Sequence, residues 1–218
     1  MFSGIVSSVG IVNQIIRKNA GAVLTVQGGD GFSGFESGES IAVNGVCLTV
    51  RDSANDTFTV DLSTETLSRT CFKNIEDRAD VNLERSLTPS DKISGHFVTG
   101  HVDCVGRITS IDHKSGEIIF CFEYPTEYTP YIIEKGSVSI DGISLTAFSC
   151  IGNVFSVSII PFTFSHTNLA SRKIGDAVNI ECDMIGKYIY KACETILLSG
   201  DADKQVSLDM LRRQGILK

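Results

Sequence analysis

Ser40-Ile-Ala-Val-Asn-Gly-Val-Cys-Leu-Thr49 is the stretch that decides the fold, because the chain carries it twice. Ser137-Val-Ser-Ile-Asp-Gly-Ile-Ser-Leu-Thr146 lies 97 positions further on, and the same shift places Val81-Asn-Leu-Glu84 over Val178-Asn-Ile-Glu181. Near the N-terminus the matching shift is 96. An offset that changes by only one residue along the repeat indicates two copies of one topology. A duplicated fold offers two similar pockets, which suggests chemistry on two similar molecules.

Short strand patterns dominate both copies. β-Branched and aromatic residues alternate with polar ones, and Gly, Asn and Asp interrupt the runs. Asn44-Gly45 and Asp141-Gly142 each separate two runs, where a tight hairpin needs positive φ. Six short strands per copy predict a closed antiparallel barrel, because closure removes the exposed edges of an open sheet. The expected runs are 4–12, 21–28, 39–43, 46–51, 57–62 and 80–84, then 100–111, 116–124, 136–140, 143–149, 153–160 and 177–182.

The chain of 218 residues has room for two domains of roughly 100 residues, each able to bury its own core. We expect an N-terminal barrel over 1–97, a C-terminal barrel over 98–186 and a C-terminal helical segment over 187–218. Short helical stretches are expected at 65–73 and 163–171.

One apolar helical face follows the second copy. It comprises Met184, Ile185, Tyr188, Ile189, Ala192 and Ile196. After a break at Gly200, a second short helix is expected to reach Leu211. The first helix could pack back on a barrel, but we favour a helix that joins subunits.

Charge and composition limit the classes of binding partner and the cellular compartment that we expect. The net charge is −7 with no basic stripe, which argues against nucleic-acid and anionic-membrane partners. Seven cysteines without CxxC spacing make a disulfide framework or zinc site an unfavourable interpretation. The N-terminus lacks a signal-peptide pattern, and no stretch has the length of a membrane span. We expect a cytoplasmic protein.

Cys47 and its counterpart Ser144 place a nucleophile-capable atom at one position of both copies. A lone strand cysteine is more often a small buried hydrophobe, and Ser144 and Thr146 could be plain strand hydroxyls. The exchange of Cys for Ser favours a pocket, because an apolar core would not readily accept both.

His101 lies in the second copy where the first copy has Ile5, so one half carries a titratable group that the other lacks. A histidine that bonds a neighbouring strand is the alternative, and His96 has the same two interpretations. The spacing of these two histidines is poor for a metal site on a strand.

Two further segments could bind polar groups. Asp61 and Glu65 flank the start of the first helical stretch, and 158–163 is the matching segment. Backbone amides at a helix start bind polar edges, although capping alone would explain these residues. Lys135 could reach a polar ligand or remain solvated.

Several motifs together resemble the riboflavin synthase family. They are Met1-Phe-Ser-Gly-Ile-Val6, Ser40 to Val50, Val81-Asn-Leu-Glu-Arg85, Ser94-Gly-His-Phe-Val-Thr-Gly-His-Val-Asp103, Ile140-Asp-Gly-Ile-Ser-Leu-Thr146 and Val178-Asn-Ile-Glu181. The resemblance covers residues 1 to about 190 in unbroken order. It implies an all-β fold of two homologous six-stranded Greek-key barrels in tandem plus a C-terminal α-helix that holds a homotrimer.

The implied reaction is the dismutation of two molecules of 6,7-dimethyl-8-ribityllumazine, in which a four-carbon unit passes from one to the other. The products are riboflavin and 5-amino-6-(ribitylamino)uracil, and no metal, flavin or nicotinamide cofactor is implied. In this family the productive site pairs the N-terminal barrel of one chain with the C-terminal barrel of another.

The resemblance also implies site residues. His101 and Thr146 are the leading candidates for proton transfer, with Ser144 assisting. Cys47 could add to a ring carbon or form a hydrogen bond to an intermediate. The expected catalytic set also includes Ser40 and Asp141. The N-terminal pocket is expected to comprise Gly4, Ile5, Val6, Ser40, Cys47, Leu48, Thr49, Asp61, Leu62, Ser63, Thr64, Glu65 and Thr66. The C-terminal pocket is expected to comprise Gly100, His101, Val102, Lys135, Asp141, Ser144, Leu145, Thr146, Ser158, Ile159, Ile160, Pro161, Phe162 and Thr163.

Phe162 is a departure from the family pattern, since the family more often has a polar residue, frequently Glu, at that position.

The main rival function is a non-catalytic lumazine or flavin antenna, a class that tends to lose catalytic polar residues. Cys47, His101, Ser144 and Thr146 are all present here, which favours the enzyme. A flavin-binding barrel of an oxidoreductase would need a nicotinamide domain, and no GxGxxG follows a strand. A purely structural barrel would not need matched Cys/Ser and Asn/Asp positions.

Overall fold

The computed structural model describes residues 1–114 and 116–198. Within them the chain forms two closed six-stranded barrels, followed by a helix. The first barrel consists of β1 (Ser8–Lys18), β2 (Gly21–Gln27), β3 (Ser40–Val43), β4 (Val46–Ala54), β5 (Thr57–Leu62) and β6 (Asp80–Arg85). The second consists of β7 (Cys104–Lys114), β8 (Glu117–Glu123), β9 (Ser137–Ile140), β10 (Ile143–Ile151), β11 (Val154–Ile159) and β12 (Ala177–Cys182).

Both barrels follow the same antiparallel order. Around the first barrel the strands run β1-β2-β5-β4-β3-β6, and the second repeats this order from β7 to β12. The two tight hairpins match as well, with Asn44 at φ 45° and Asp141 at φ 46°, each followed by a glycine at positive φ. The predicted tandem barrels are therefore confirmed.

The helices are short except at the C-terminal end. Helix α1 (Thr64–Arg69) leads into a 3₁₀ turn at Cys71–Lys73, and α2 (Pro161–Ser165) leads into one at Asn168–Ala170. Helix α3 (Met184–Leu198) begins three residues before the expected helical segment. The second short helix expected to end at Leu211 lies outside the described residues. No helix in the described ranges has the length and apolarity to cross a membrane.

The interior of each barrel is filled with side chains. Along β4, Val46, Leu48 and Val50 point inward and are buried, whereas Cys47 and Thr49 point outward. The second barrel is filled similarly, with Phe120, Phe122 and Phe155 fully buried among aliphatic neighbours. A ligand must therefore bind on the outer surface of a barrel, where the alternate residues of β4 and β10 are presented.

Candidate active site

The segments that precede β1 and β7 cross over to the opposite barrel. Phe2 pairs with Val98 in an antiparallel bridge, so the two segments pass each other between the barrels. Beyond this crossing, the Cys47 amide donates to the Gly100 carbonyl oxygen at 2.9 Å, and the Ser144 amide donates to that of Gly4 at 2.7 Å. Each barrel is thus completed by the leading segment of the other.

Two glycines permit this close approach. A Cβ at Gly100 would lie 2.5 Å from the Cβ of Cys47, and a Cβ at Gly4 would lie 2.6 Å from that of Ser144. Both glycines also have positive φ, +80° and +75°, which L-residues rarely adopt. Any side chain at these positions would push the crossing segment off the strand that it completes.

Two buried carboxylates hold the crossing segments at their bases. Glu84 accepts hydrogen bonds from the Ser3 amide at 2.7 Å and the Gly4 amide at 3.1 Å. Glu181 accepts the matching bonds from Thr99 at 2.7 Å and Gly100 at 3.0 Å. Burial raises the pKa of Glu84 above its ordinary value, although its hydrogen bonds act in the opposite direction. These contacts explain why Glu84 and Glu181 are repeated in the sequence.

The expected strands beginning at residues 4 and 100 were therefore wrong at their starts, and so was the grouping of the pockets. The structure places the 100–102 segment against Cys47 of the first barrel, and Gly4 and Ile5 against Ser144 of the second. Matching repeats reveal that two segments are equivalent. They do not reveal which copy of a barrel each one packs on.

The first pocket is a cleft of about 310 Å³ on the N-terminal barrel. Cys47, which is half-buried, and His101, which is exposed, both line it. Helix α1 contributes Arg69 and Glu65 to the lining, and these form an ion pair with 2.9 Å between Nε and Oε1. The full lining is Val46, Cys47, Glu65, Thr66, Arg69, Thr70, Gly100, His101, Val102, Asp103 and Tyr128.

The second pocket is a cleft of about 440 Å³ on the C-terminal barrel. Ser144 and Thr146 project from β10, and the Lys135 ammonium lies 5.4 Å from the ring centre of Phe148. The full lining is Ile5, Ser94, Gly95, Lys135, Ser137, Ser144, Leu145, Thr146, Phe148 and Ser158. Both clefts have the size of small-molecule sites.

A larger groove of about 840 Å³ separates β1 from α2. Val6 and Phe162 both line it, and the Phe162 ring stacks on His166 with 4.1 Å between ring centres. Ile160, Pro161 and Thr163 begin α2 beside this groove.

The remaining expected site residues divide by the face of the barrel. Leu48, Leu62 and Ile159 are buried in the barrel interiors, so only their backbone could meet a ligand. Ser40 pairs with Thr49 across β3 and β4, and Asp61 is held by Arg51 at 2.8 Å on the outer surface. Ser63 caps α1 by accepting a bond from the Thr66 amide, and Thr64 opens that helix.

Two expected catalytic residues, Ser40 and Asp141, line neither pocket, and Asp141 is the more deeply buried of the two. It is fully buried, and its carboxylate accepts bonds from the Asn179 amide at 2.8 Å, the Asn168 side chain at 2.9 Å and Arg172 at 2.6 Å. A carboxylate so enclosed cannot touch a substrate. The side chain of Asp141 instead fixes Asn168, Arg172 and Asn179 within its own repeat, so its expected catalytic role was wrong.

A buried polar network joins the barrels at this point. The Asn82 side-chain amide donates to the Asp141 carbonyl, and that of Asn179 donates to the Asn44 carbonyl, both at 2.9 Å. The two bonds are related by the same symmetry as the crossing segments. Sequence reasoning missed Asn82 and Asn179, although their repetition within otherwise apolar strands was a usable signal.

Lys187 and Asp103 were also missed. Lys187 on α3 donates to both carboxylate oxygens of Asp103, at 3.0 and 2.8 Å, and Asp103 follows His101 in the first pocket. Burial lowers the pKa of Lys187, but the hydrogen bond and charge of Asp103 more than offset this, leaving the pKa above its ordinary value. Helix α3 is therefore tied directly to the segment that carries His101.

Comparison with known proteins agrees with this architecture. The lumazine binding domain family matches residues 3–86 and 99–183, one match per barrel. Riboflavin synthase of Actinobacillus pleuropneumoniae is 41% identical over 218 residues, covering 99% of this chain and 100% of that protein. Riboflavin synthase of Bacillus subtilis is 39% identical over 191 residues, covering 88% and 89%.

Among solved structures, LumP complexed with 6,7-dimethyl-8-(1'-D-ribityl) lumazine superimposes with a TM-score of 0.76 and 23% identity, over 84% of this chain and 99% of that chain. LumP complexed with riboflavin gives a TM-score of 0.78 over the same shares. This likeness supports the fold. The sequence identities and the two matched domains show that the chain belongs to the riboflavin synthase family of tandem lumazine-binding proteins.

Proposed function

We propose that this chain is a riboflavin synthase, which converts two molecules of 6,7-dimethyl-8-ribityllumazine into riboflavin and 5-amino-6-(ribitylamino)uracil. Four carbon atoms pass from one lumazine to the other, and no external oxidant or reductant is needed. The observation that carries the proposal is the pair of related pockets, each built from one barrel and the crossing segment of the other. Two copies of one substrate require two such sites.

The two pockets present different reactive groups. The first offers Cys47 and His101, and the second offers Ser144, Thr146 and Lys135. The backbone of a crossing segment can bond the polar edge of a flat ring while aliphatic side chains cover its face. Holding two rings in register can contribute roughly 7–11 kcal/mol to lowering the barrier. A positioned acid or base adds about 10²–10⁴-fold, and His101 and Thr146 are our candidates.

We further propose that the working site forms between chains of a cytoplasmic homotrimer. Apolar side chains on α3 support an assembly, since Ile185, Tyr188 and Ile189 are 54%, 70% and 60% exposed. The two pockets of one chain lie on different barrels, so a partner chain would bring a first pocket opposite a second one. His101 and Thr146 of different chains would then face the same pair of rings.

One assay tests the proposed reaction. The purified full chain is mixed with 6,7-dimethyl-8-ribityllumazine, and the absorbance of riboflavin is followed. Riboflavin that exceeds the protein concentration many-fold supports the enzyme. Stoichiometric binding of unchanged lumazine would instead identify a non-catalytic binding protein.

A further inference from the structure

His96 is a buried histidine directly behind the second pocket. Its side chain is 9% exposed, and its Nδ1 lies 2.7 Å from the Oγ of Ser144. The backbone of the neighbouring Gly95 also packs closely on Ser144, because a Cβ on Gly95 would lie 2.6 Å from the Cβ of Ser144. The His96 amide also donates to the Ser3 carbonyl at 3.1 Å. The imidazole is therefore fixed against Ser144 by the packing of both crossing segments.

The other ring nitrogen of His96 is buried and has no hydrogen-bond partner among the described residues. Burial also lowers the pKa of His96, with Asp183 and Glu181 acting in the opposite direction, so the neutral ring is favoured. A neutral imidazole has one N–H, which lies on either Nδ1 or Nε2. An orphaned buried N–H is rarer in proteins than an under-satisfied acceptor. The proton is therefore better placed on Nδ1, which then donates a hydrogen bond to the Oγ of Ser144.

This arrangement determines what Ser144 can do. With the Oγ of Ser144 accepting from His96, the serine keeps its own hydrogen to donate into the pocket. The thiol of Cys47, at the equivalent position of the first pocket, packs instead against Phe2, Ala42 and Val98. The two pockets thus differ at this position in two ways. One has a serine and the other a cysteine, and only the serine is hydrogen-bonded to a buried histidine.

We propose that His96 is a positioning residue that turns the Ser144 hydroxyl into a hydrogen-bond donor toward the ring edge of a ligand in the second pocket. The identity of that ligand as a lumazine rests on the proposed function. When a ring methyl group of lumazine loses a proton, negative charge spreads to the ring oxygens. A fixed donor at that edge stabilises this charge more than it stabilises the neutral ring.

The kinetic test is a double-mutant cycle between His96 and Ser144. His96→Leu removes the imidazole, whereas His96→Asn places an amide N–H near the position of Nδ1. We expect His96→Leu to lower kcat about 10²-fold with little change in KM, and His96→Asn to recover most of this loss. In a Ser144→Ala background, His96→Leu should lower kcat less than about 3-fold. His113→Leu, at an exposed histidine on β7, is the matched control and should leave kcat nearly unchanged.

Two kinetic outcomes would overturn the proposal. One is a loss of kcat from His96→Leu that is as large in the Ser144→Ala background as in the unmodified protein, which would mean that His96 acts independently of Ser144. The other is an equal loss in His96→Asn and His96→Leu, which would mean that the donor is irrelevant. Thermal unfolding of each variant separates these results from a general loss of structure.

The second test needs neither substrate nor a His96 variant, so it remains decisive if His96→Leu does not fold or if the chain has no synthase activity. Nitrogen-15 NMR of the histidine side chains in the free protein reports which ring nitrogen carries the proton. We expect the proton of His96 on Nδ1, with a resonance that shifts in Ser144→Ala. A proton on Nε2 would contradict the proposal, whatever the assay for riboflavin shows.

Discussion

The amide of Cys47 donates to the carbonyl oxygen of Gly100 at 2.9 Å, although the two residues belong to different repeats. The bond has a counterpart between Ser144 and Gly4 at 2.7 Å. The first pocket therefore contains His101 because of the crossing, and it would lose this histidine if each barrel were completed by its own leading segment.

Substitution of Gly100 by alanine should damage the first pocket. A Cβ there would lie 2.8 Å from the amide nitrogen of Cys47, in addition to the strain of φ +80°. We expect Gly100→Ala to lower kcat/KM by at least about 10², because a displaced His101 loses its contribution as an acid or base. Steady-state production of riboflavin measures this.

Gly31→Ala is the control for Gly100→Ala. Gly31 has φ +72° with open space around it, so the variant carries the backbone strain without the clash. It should lose about 1 kcal/mol of stability and keep its activity. Equal losses of activity in the two variants would show that strain, rather than the crossing, determines the result.

His101→Ala should reduce turnover far more than it reduces binding of lumazine. The exposed imidazole lines the first pocket, and under the proposed function the backbone of the crossing segment, which the substitution keeps, bonds the ring edge. We expect kcat to fall about 10²–10⁴-fold and the dissociation constant of a non-reacting analogue to change little. Equal losses in both quantities would remove His101 from the chemistry.

Asn82→Ala should destabilise the contact between the barrels. The variant leaves the Asp141 carbonyl and the Asn168 amide without the partners that Asn82 now provides. Each buried polar group left unpaired costs about 1–3 kcal/mol, which chemical denaturation can measure. Asn13→Ala, at an exposed position of β1, should change stability by less than about 0.5 kcal/mol. An unaffected Asn82→Ala protein would show that the network is not needed.

Ile189→Gln should weaken assembly of the chains. Ile189 is 60% exposed on α3, and replacing its apolar surface by an amide removes the driving force for helix contacts between subunits. Sedimentation velocity should show smaller species, together with lower activity. Lys191→Gln on the same helix should leave assembly unchanged. A fully active monomer would contradict the proposed intersubunit site.

Stability should depend on pH through His96. Because burial lowers the pKa of His96 in the folded state, the unfolded chain takes up a proton at a higher pH than the folded chain does. The unfolding free energy should therefore decrease as pH falls below about 6.5, the ordinary value for histidine. His96→Asn should lack this part of the pH dependence, as denaturant titrations between pH 5 and pH 8 would reveal. An unchanged profile would mean that the pKa of His96 is the same in the folded and the unfolded chain.

The sequence predicted the two barrels because Ser40–Thr49 and Ser137–Thr146 repeat both the strand alternation and the turn between strands. It also predicted that Cys47 and Ser144 occupy equivalent positions at pockets. It could not predict that Gly4 packs against Ser144, because an internal symmetry is satisfied equally by crossed and uncrossed segments. The Asp141-Gly142 pair predicted a turn, and the family resemblance placed Asp141 in a pocket. Its burial depends instead on Asn168 and Arg172, which lie 27 and 31 residues further along the chain.

His96 shows the other limit of sequence reasoning. Its position gave no preference between a pocket residue and a strand histidine, since the deciding contacts come from Ser144, 48 residues away. Lys187 and Asp103 are similar, because an ion pair between a helix and a crossing segment has no fixed spacing.

The occupancy of the two pockets tests the central claim most directly. Calorimetric titration with a non-reacting lumazine analogue should give two ligands per chain in the unmodified protein. Gly100→Ala should lose the site at Cys47 and keep the one at Ser144, and Gly4→Ala should do the reverse. A single ligand per chain in the unmodified protein, or loss of the Ser144 site in Gly100→Ala, would contradict the account.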